Sequence, residues 1–151
     1  MSEIFTIGYE QASLADFLRA LQAAGVTQLI DVRDLPQSRR AGFSKRMLAA
    51  SVAEIGIDYV HLKALGTPKE GRVAHRTGDQ ATFWRIVETQ LAKPEAKAAL
   101  EEVAALSRDR RCCLLCYEAD WRACHRARVA QLLADGHGIT AQHLMPEPVF
   151  L

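Results

Sequence analysis

The stretch LLCYEADWRACHRARVA, from Leu114 to Ala130, carries the pattern that decides the fold. Its apolar beginning ends at Cys116 and is typical of a buried strand. Acidic residues follow, and the segment after them predicts a helix over Cys124–Ala134. A buried strand that leads through a short loop into a helix is the building unit of a parallel α/β sheet.

The same alternation of strand and helix patterns extends over the rest of the chain. Besides Cys112–Cys116, short apolar or β-branched runs predict strands at Ile4–Gly8, Gln28–Val32, Asp58–Leu62 and Ile139–Leu144. Helix starts are predicted at Ser13, Ser44, Asp79 and Pro94. Because such alternation favours right-handed βαβ units, we expect a single α/β domain. Its mainly parallel sheet has about five strands, with helices on both faces.

The segment from Lys63 to Gly78 interrupts this alternation. It is polar and contains three glycines and Pro68. It is longer than the usual connection between two elements. We therefore expect a functional lid or binding loop here.

Composition excludes several classes of protein. The chain has 151 residues, of which 49% are hydrophobic and 25% are charged, so it is not disordered by composition. Its 19 basic and 18 acidic residues leave a net charge of +1, which excludes polyanion binding through bulk positive charge. No apolar run approaches the ~18 residues that span a membrane, and the N-terminal residues have no secretory pattern. We expect a cytoplasmic protein with no membrane association.

All four cysteines lie within thirteen positions, at Cys112, Cys113, Cys116 and Cys124. Such clustering cannot staple distant segments as a disulfide framework does. Cys113 and Cys116, followed by Cys124 and His125, have the composition of a zinc site. However, Cys113 and Cys116 lie three apart on one strand, so their side chains point to opposite faces. We expect reduced thiols, with Cys112 and Cys113 in the core, and no metal ion or cofactor.

Ionisable residues follow four of the five predicted strands. These residues are Tyr9 and Glu10, Asp31 and Arg33, His61, and finally Cys116, Glu118 and Asp120. The carboxyl ends of parallel strands meet at one edge of a sheet, and ligands bind beyond that edge. The sequence therefore predicts one polar site built from these strand ends.

Two kinds of chemistry are open at this site. In one, Glu118 and His125 form a general acid/base pair beside a bound phosphate or carboxylate. In the other, Cys116 or Cys124 is a thiolate nucleophile with His125 beside it. A helix start at Cys124, with His125 and Arg126 in its first turn, offers donors to an anion.

The sequence leaves two alternative roles for each of two further groups of residues. Asp31 ends an apolar strand and needs a partner, which Arg33 can supply, so the pair either braces the loop or contacts a ligand. The segment Ser38–Arg46 carries Arg39, Arg40, Lys45 and Arg46 around Phe43. It is either a solvated surface or a phosphate-binding segment with one stacking aromatic ring.

Four segments resemble the family of domains of unknown function 488 (DUF488). They are TIGYE at Thr6–Glu10, LIDVRDLPQSRRAGFSK at Leu29–Lys45, IDYVHLKALG at Ile57–Gly66 and LLCYEADWRACHR at Leu114–Arg126. The resemblance implies an α/β fold but no established reaction. It also implies that the functional residues include those that match the family pattern, namely Asp31, Arg33, Cys116, Glu118, Cys124, His125 and Arg126. One departure is Gln11, where the family pattern leads us to expect a glycine, and this bears on the shape of the first loop.

The segment LIDVRD also resembles the opening motif of rhodanese-type sulfurtransferases, which place a nucleophilic cysteine at the strand end where Cys116 stands. In that family the loop after the cysteine holds an anionic persulfide on backbone N–H groups. Here Glu118 and Asp120 occupy the loop and would repel such an anion.

The residues together predict a small enzyme or binding protein that acts on a phosphorylated ligand, either a nucleotide or a nucleic-acid backbone. The expected catalytic residues are Glu118, His125, Cys116 and Asp31. The expected ligand contacts are Tyr9, Arg33, Arg39, His61, Cys124 and Arg126. The alternatives are a non-catalytic nucleic-acid-binding accessory module and a rhodanese-like sulfurtransferase that uses Cys116. No oligomeric state is predicted.

Overall fold

Five parallel strands form one sheet in the computed structural model, which describes residues 2–148. The strands are β1 (Ser2–Gly8), β2 (Gln28–Asp31), β3 (Asp58–His61), β4 (Cys112–Cys116) and β5 (Ile139–Leu144). Their order across the sheet is β3-β2-β4-β1-β5, and every neighbouring pair is parallel. All five predicted strands are present, and the predicted α/β fold is confirmed.

Within residues 2–148, six α-helices connect and cover the strands. They are α1 (Leu14–Ala23), α2 (Lys45–Glu54), α3 (Lys69–Arg76), α4 (Gln80–Leu91), α5 (Pro94–Asp109) and α6 (Arg126–His137). The caps of α1 and α4 follow from the sequence, because Ser13 and Asp79 accept hydrogen bonds from backbone N–H groups of the first turn. None of these helices is long and apolar enough to cross a membrane.

Helices cover both faces of the sheet, as predicted. One face packs against α1 and α2, through the buried side chains of Phe17, Leu21, Leu48 and Val52. The other face packs against the remaining helices, including Val87 of α4, Val103 of α5 and Leu133 of α6. Side chains of β4 alternate between these two cores, so Cys113 lies in the first and Cys116 in the second.

The prediction of a lid or loop over Lys63–Gly78 is wrong, because α3 lies within this segment. Gly71 is the reason that the pattern misleads. A Cβ atom at this position would lie 2.5 Å from Cγ2 of Thr67 and 3.1 Å from Cγ2 of Ile86. The glycine therefore allows α3 to pack closely on α4 and does not mark a turn.

The predicted start of the last helix is also wrong. The helix α6 begins at Arg126, and His125 is its N-cap. A short 3-10 helix over Trp121–Ala123 precedes it, and Cys124 has an extended backbone. The acidic loop therefore folds into a compact turn before the helix begins, and Cys124 lies between these two elements.

The register of the sheet brings the strand ends together. Gly8 pairs with Cys116 across β1 and β4, and Asp31 pairs with both Leu115 and His61. The loops that follow β1, β2 and β4 therefore start side by side at the carboxyl edge.

Candidate functional site

A cleft of about 920 Å³ lies at this carboxyl edge. Its walls come from the loops after β1, β2 and β4 and from helix α3. Tyr9, Arg33, Arg39, Cys116, Glu118 and His125 line it. These six are among the ten predicted site residues, so the structure brings together a large part of the predicted site in one cavity.

The backbone carbonyl group of Val32, the residue after β2, holds His125 in one orientation. Its Nε2 lies 2.8 Å from the carbonyl oxygen of Val32, so Nε2–H donates this hydrogen bond. The other ring nitrogen, Nδ1, therefore faces the two cysteines, 3.6 Å from Sγ of Cys116 and 3.7 Å from Sγ of Cys124. His125 forms a thiol–imidazole cluster with both residues.

The two thiols of this cluster differ in acidity. The hydrogen bond with Cys124, together with burial, holds the pKa of the Cys116 thiol well above its ordinary value. Burial opposes ionisation of Cys124, but the hydrogen bond from Cys116 and the charge of His125 hold its pKa well below the ordinary value. Burial likewise opposes protonation of His125, yet Cys124 raises its pKa. Of the two thiols, Cys124 therefore has the lower pKa, and it is fully buried.

This arrangement disfavours the rhodanese-like alternative. Cys116 is the sulfur that lines the cleft, and the hydrogen bond with Cys124 together with burial raises the pKa of its thiol, which disfavours a free nucleophilic thiolate. Its Sγ also lies 3.6 Å from Oε2 of Glu118, where a persulfide would meet a carboxylate.

Glu118 extends into the cleft between Cys116 and α3. Burial raises the pKa of its carboxyl to about 7. Its Oε1 lies 3.6 Å from Nε2 of His75. Among the described residues, the side chain of Glu118 contacts Cys116 and His75 and forms no hydrogen bond with His125. The partner of Glu118 therefore comes from α3, which the sequence pattern did not predict.

Arg126 lies behind the cleft and not along it. Its guanidinium is fully buried and donates to the backbone oxygen of Glu118 at 2.5 Å and to Oγ1 of Thr6 at 3.2 Å. Gly8 completes this arrangement, since a Cβ there would lie 1.8 Å from the same oxygen of Glu118. The geometry favours a positioning role, in which Arg126 holds the loop that presents Glu118.

Asp31 and Arg33 form a buried ion pair with two parallel contacts. Nε and Nη2 of Arg33 lie 2.8 and 2.7 Å from the two carboxylate oxygens, and Tyr59 also donates to Asp31. Arg33 further donates to the hydroxyl of Tyr9 at 3.1 Å, and His61 donates to the backbone oxygen of Arg33 at 2.6 Å. This geometry favours the bracing alternative for the Asp31–Arg33 pair. Arg33 also lines the cleft, whereas Asp31 and His61 do not.

The basic segment divides into two parts. Arg39 and Arg40 line the cleft, whereas Lys45 and Arg46 begin α2 outside it. Phe43 is 1% exposed and stacks on Tyr9 at a centroid distance of 4.5 Å. Of the two alternatives for this segment, the one in which Phe43 stacks on a ligand is disfavoured, because this ring belongs to the core. The exposed aromatic ring at the cleft is Tyr117.

The residues that sequence reasoning missed come from α3 and its start. Thr67, Arg72, His75 and Arg76 line the cleft. Oγ1 of Thr67 and Nδ1 of His75 are buried and have no hydrogen-bond partner within residues 2–148. One signal could have located this helix. Pro68 is typical of a helix start, and no further proline follows before Pro94.

The profile of the family described as "Domain of unknown function DUF488" matches residues 13–133. This range includes every cleft residue named above except Tyr9. No curated protein and no solved structure matches the chain.

Proposed function

Since the chain belongs to the DUF488 family, described as a domain of unknown function, we propose its function from the geometry of the cleft. The protein is an enzyme that binds a phosphorylated small molecule of nucleotide size and moves protons through Glu118. The observation that carries this proposal is the presence of free arginines and a carboxylate–imidazole pair in one cleft. Its volume lies in the range typical of small-molecule sites.

Two arginines of the cleft are available to an anion. Arg39 and Arg76 are exposed, and their side chains form no hydrogen bond or ion pair with any residue of 2–148. Arg72 is already bound to Asp34 at 2.7 Å, and Arg40 donates to backbone oxygens. Guanidinium groups bind phosphate through paired hydrogen bonds, so Arg39 and Arg76 are the expected phosphate contacts.

Two unpartnered polar atoms support a ligand site at the same place. Oγ1 of Thr67 and Nδ1 of His75 are buried without a partner among the described residues, and both residues line the cleft. A buried polar group without a hydrogen bond costs about 1–3 kcal/mol. A polar ligand that satisfies both atoms removes this cost, which favours binding.

The proton-transfer role belongs to Glu118 and His75. Their side chains are 3.6 Å apart, and both line the cleft. Because both nitrogens of His125 face Val32 and the cysteines, His75 replaces His125 as the partner in the acid/base pair.

The binding experiment uses a panel of nucleoside mono-, di- and triphosphates, with the matching nucleosides as controls. Calorimetry should detect binding of at least one phosphorylated compound and none of its nucleoside. Arg39→Ala and Arg76→Ala should each weaken binding about tenfold or more, since one hydrogen bond to a charged group is worth about 1.5–3 kcal/mol.

Arg46→Ala is the matched control, because Arg46 is an exposed arginine of the same basic segment outside the cleft. Its affinity should equal that of the wild type. Equal losses in Arg46→Ala and Arg39→Ala would instead identify an extended nucleic-acid surface. In that case binding of single-stranded oligonucleotides would fall steeply with salt.

Turnover of each bound compound is then followed by chromatography of the products. Glu118→Gln should lower kcat by about 10²–10⁴ while the dissociation constant stays within a few-fold. Wild-type protein that binds a phosphorylated compound without converting any of the panel would be a binding module, and the enzyme proposal would be wrong.

A further inference from the structure

The thiol–imidazole cluster has the spacing of a metal site. Sγ of Cys116, Sγ of Cys124 and Nδ1 of His125 all lie within 4.8 Å of one another. The two sulfur–nitrogen distances are 3.6 and 3.7 Å. A tetrahedral zinc ion, with Zn–S of about 2.3 Å and Zn–N of about 2.0–2.1 Å, places sulfur and nitrogen ligands roughly 3.6 Å apart. Both sulfur–nitrogen distances therefore match those between ligands of a tetrahedral zinc ion.

The hydrogen bond of His125 to Val32 independently supports metal binding. A histidine that binds zinc usually donates its other ring N–H to a carbonyl or carboxylate, which fixes the tautomer and the ring plane. Here Nε2–H donates to the carbonyl oxygen of Val32 at 2.8 Å, and Nδ1 faces both sulfurs. The ligand nitrogen is thus already oriented without a metal ion.

Burial and ligand type narrow the choice of ion. All three side chains are more than nine-tenths buried. Two thiolates neutralise a divalent cation, and thiolate with imidazole selects zinc over magnesium or calcium, which prefer oxygen ligands. We propose that Cys116, Cys124 and His125 bind one zinc ion at the floor of the cleft. The proposal departs from the expectation of no metal, which was based on the orientation of Cys113 and did not include the meeting of the other three residues.

Three protein ligands leave a fourth position open. Cys116 and His125 both line the cleft, so this position faces it. Glu118 stands beside it, with Oε2 3.6 Å from Sγ of Cys116. An open fourth position is the arrangement of catalytic zinc sites, in which a water molecule completes the coordination. The site goes beyond the proposed phosphate binding and does not depend on it.

Cobalt(II) is the probe that tests this site, because it replaces zinc and absorbs visible light in tetrahedral sulfur-containing coordination. Reduced, metal-stripped protein should develop visible bands and a sulfur-to-cobalt band that saturate at one cobalt per chain. Added zinc should remove these bands. Cys124→Ala and His125→Ala should lose them.

Cys112→Ala is the matched control, since Cys112 is a buried thiol of the same strand outside the cluster. It should retain the full cobalt spectrum.

Cys116→Ala keeps the test decisive if Cys124→Ala fails to fold, because Cys116 lies at the cleft. Zinc should raise the melting temperature of the wild type and leave that of folded Cys116→Ala unchanged. No saturable cobalt spectrum in the wild type, or full spectra in both cysteine variants, would overturn the proposal.

Nucleotide binding is measured on metal-stripped protein, so failure of the zinc site and failure of phosphate binding are distinguished.

Discussion

Gln11 has a left-handed backbone with φ of 65°, although a side chain with a Cβ disfavours this conformation. It lies in the turn after β1, which is held by hydrogen bonds from Ala12 N to Tyr9 O at 3.0 Å and from Glu10 N to Tyr117 O at 2.8 Å. The glycine expected from the family pattern would adopt this φ freely. The turn at Gln11 therefore has the left-handed backbone that a glycine adopts freely, and this backbone position carries strain.

Gln11→Gly should stabilise the protein by about 0.5 kcal/mol. Removing a left-handed residue relieves about 1–2 kcal/mol, and the added freedom of the unfolded chain offsets roughly half of that gain. Urea unfolding followed by circular dichroism measures the change.

Gly56→Ala is the opposite control, because Gly56 has φ of 79° and no atom within 4 Å of an added Cβ. It should destabilise the protein by about 1 kcal/mol through backbone strain alone. A loss of stability in Gln11→Gly would contradict the strain assigned to Gln11.

At the scale of elements, helix α3 forms one wall of the cleft. It carries His75 and Arg76, and its N-terminal end begins next to Thr67. Its position depends on close packing with α4, through Gly71 and Ile86. Because Thr67 contacts the same glycine, a change in this packing alters both the fold and the polar groups offered to a ligand.

Gly71→Ala should destabilise the protein by about 1–3 kcal/mol, since the new methyl group overpacks against Thr67 and Ile86. The loss should exceed the gain in helix propensity of up to about 1 kcal/mol. Gly136→Ala isolates that gain, because Gly136 lies within α6 and has no atom within 4 Å of an added Cβ. Thermal unfolding compares the two variants. Equal stabilisation in both would show that α3 does not depend on close packing at Gly71.

At the scale of the whole molecule, the Asp31–Arg33 ion pair joins segments that are distant in sequence. Arg33 lies after β2 and donates to Tyr9 after β1 and to the backbone oxygen of Phe43 before α2, at 2.8 Å in the latter case. Tyr59 of β3 donates to Asp31. One buried pair therefore links β2 and β3 with the residue after β1 and with the segment before α2.

Asp31→Ala should cost about 3–5 kcal/mol, because it leaves the buried guanidinium of Arg33 without its charge partner. Asp58→Ala is the control, since Asp58 pairs with Arg110 at the surface and its loss should cost no more than about 1 kcal/mol. Guanidinium chloride unfolding gives both values. Similar costs for the two variants would show that Asp31 is not the brace of the sheet edge.

Much of the fold was predictable because it depends on local patterns. Apolar runs such as Gln28–Val32 and Cys112–Cys116 are long enough to identify buried strands, and Ser13 and Asp79 mark helix starts. Helix α3 was not predictable in this way. Its polar sequence and Gly71 resemble a loop, and the apolar contact that supports it lies on α4.

The candidate site was likewise predictable from the sequence only in part. The chain order of strands and helices placed Tyr9, Arg33, Cys116 and Glu118 at one edge, since parallel strands must end together. The partners of these groups were decided by tertiary structure. His75 meets Glu118 only because α3 packs beside the acidic loop, and Val32 orients His125 across 93 positions of sequence. Periodicity along the chain specifies which residues face a core, whereas contacts between distant segments depend on the packing of whole elements. That packing brought two cysteines and a histidine together as a candidate zinc site and placed Phe43 in the core.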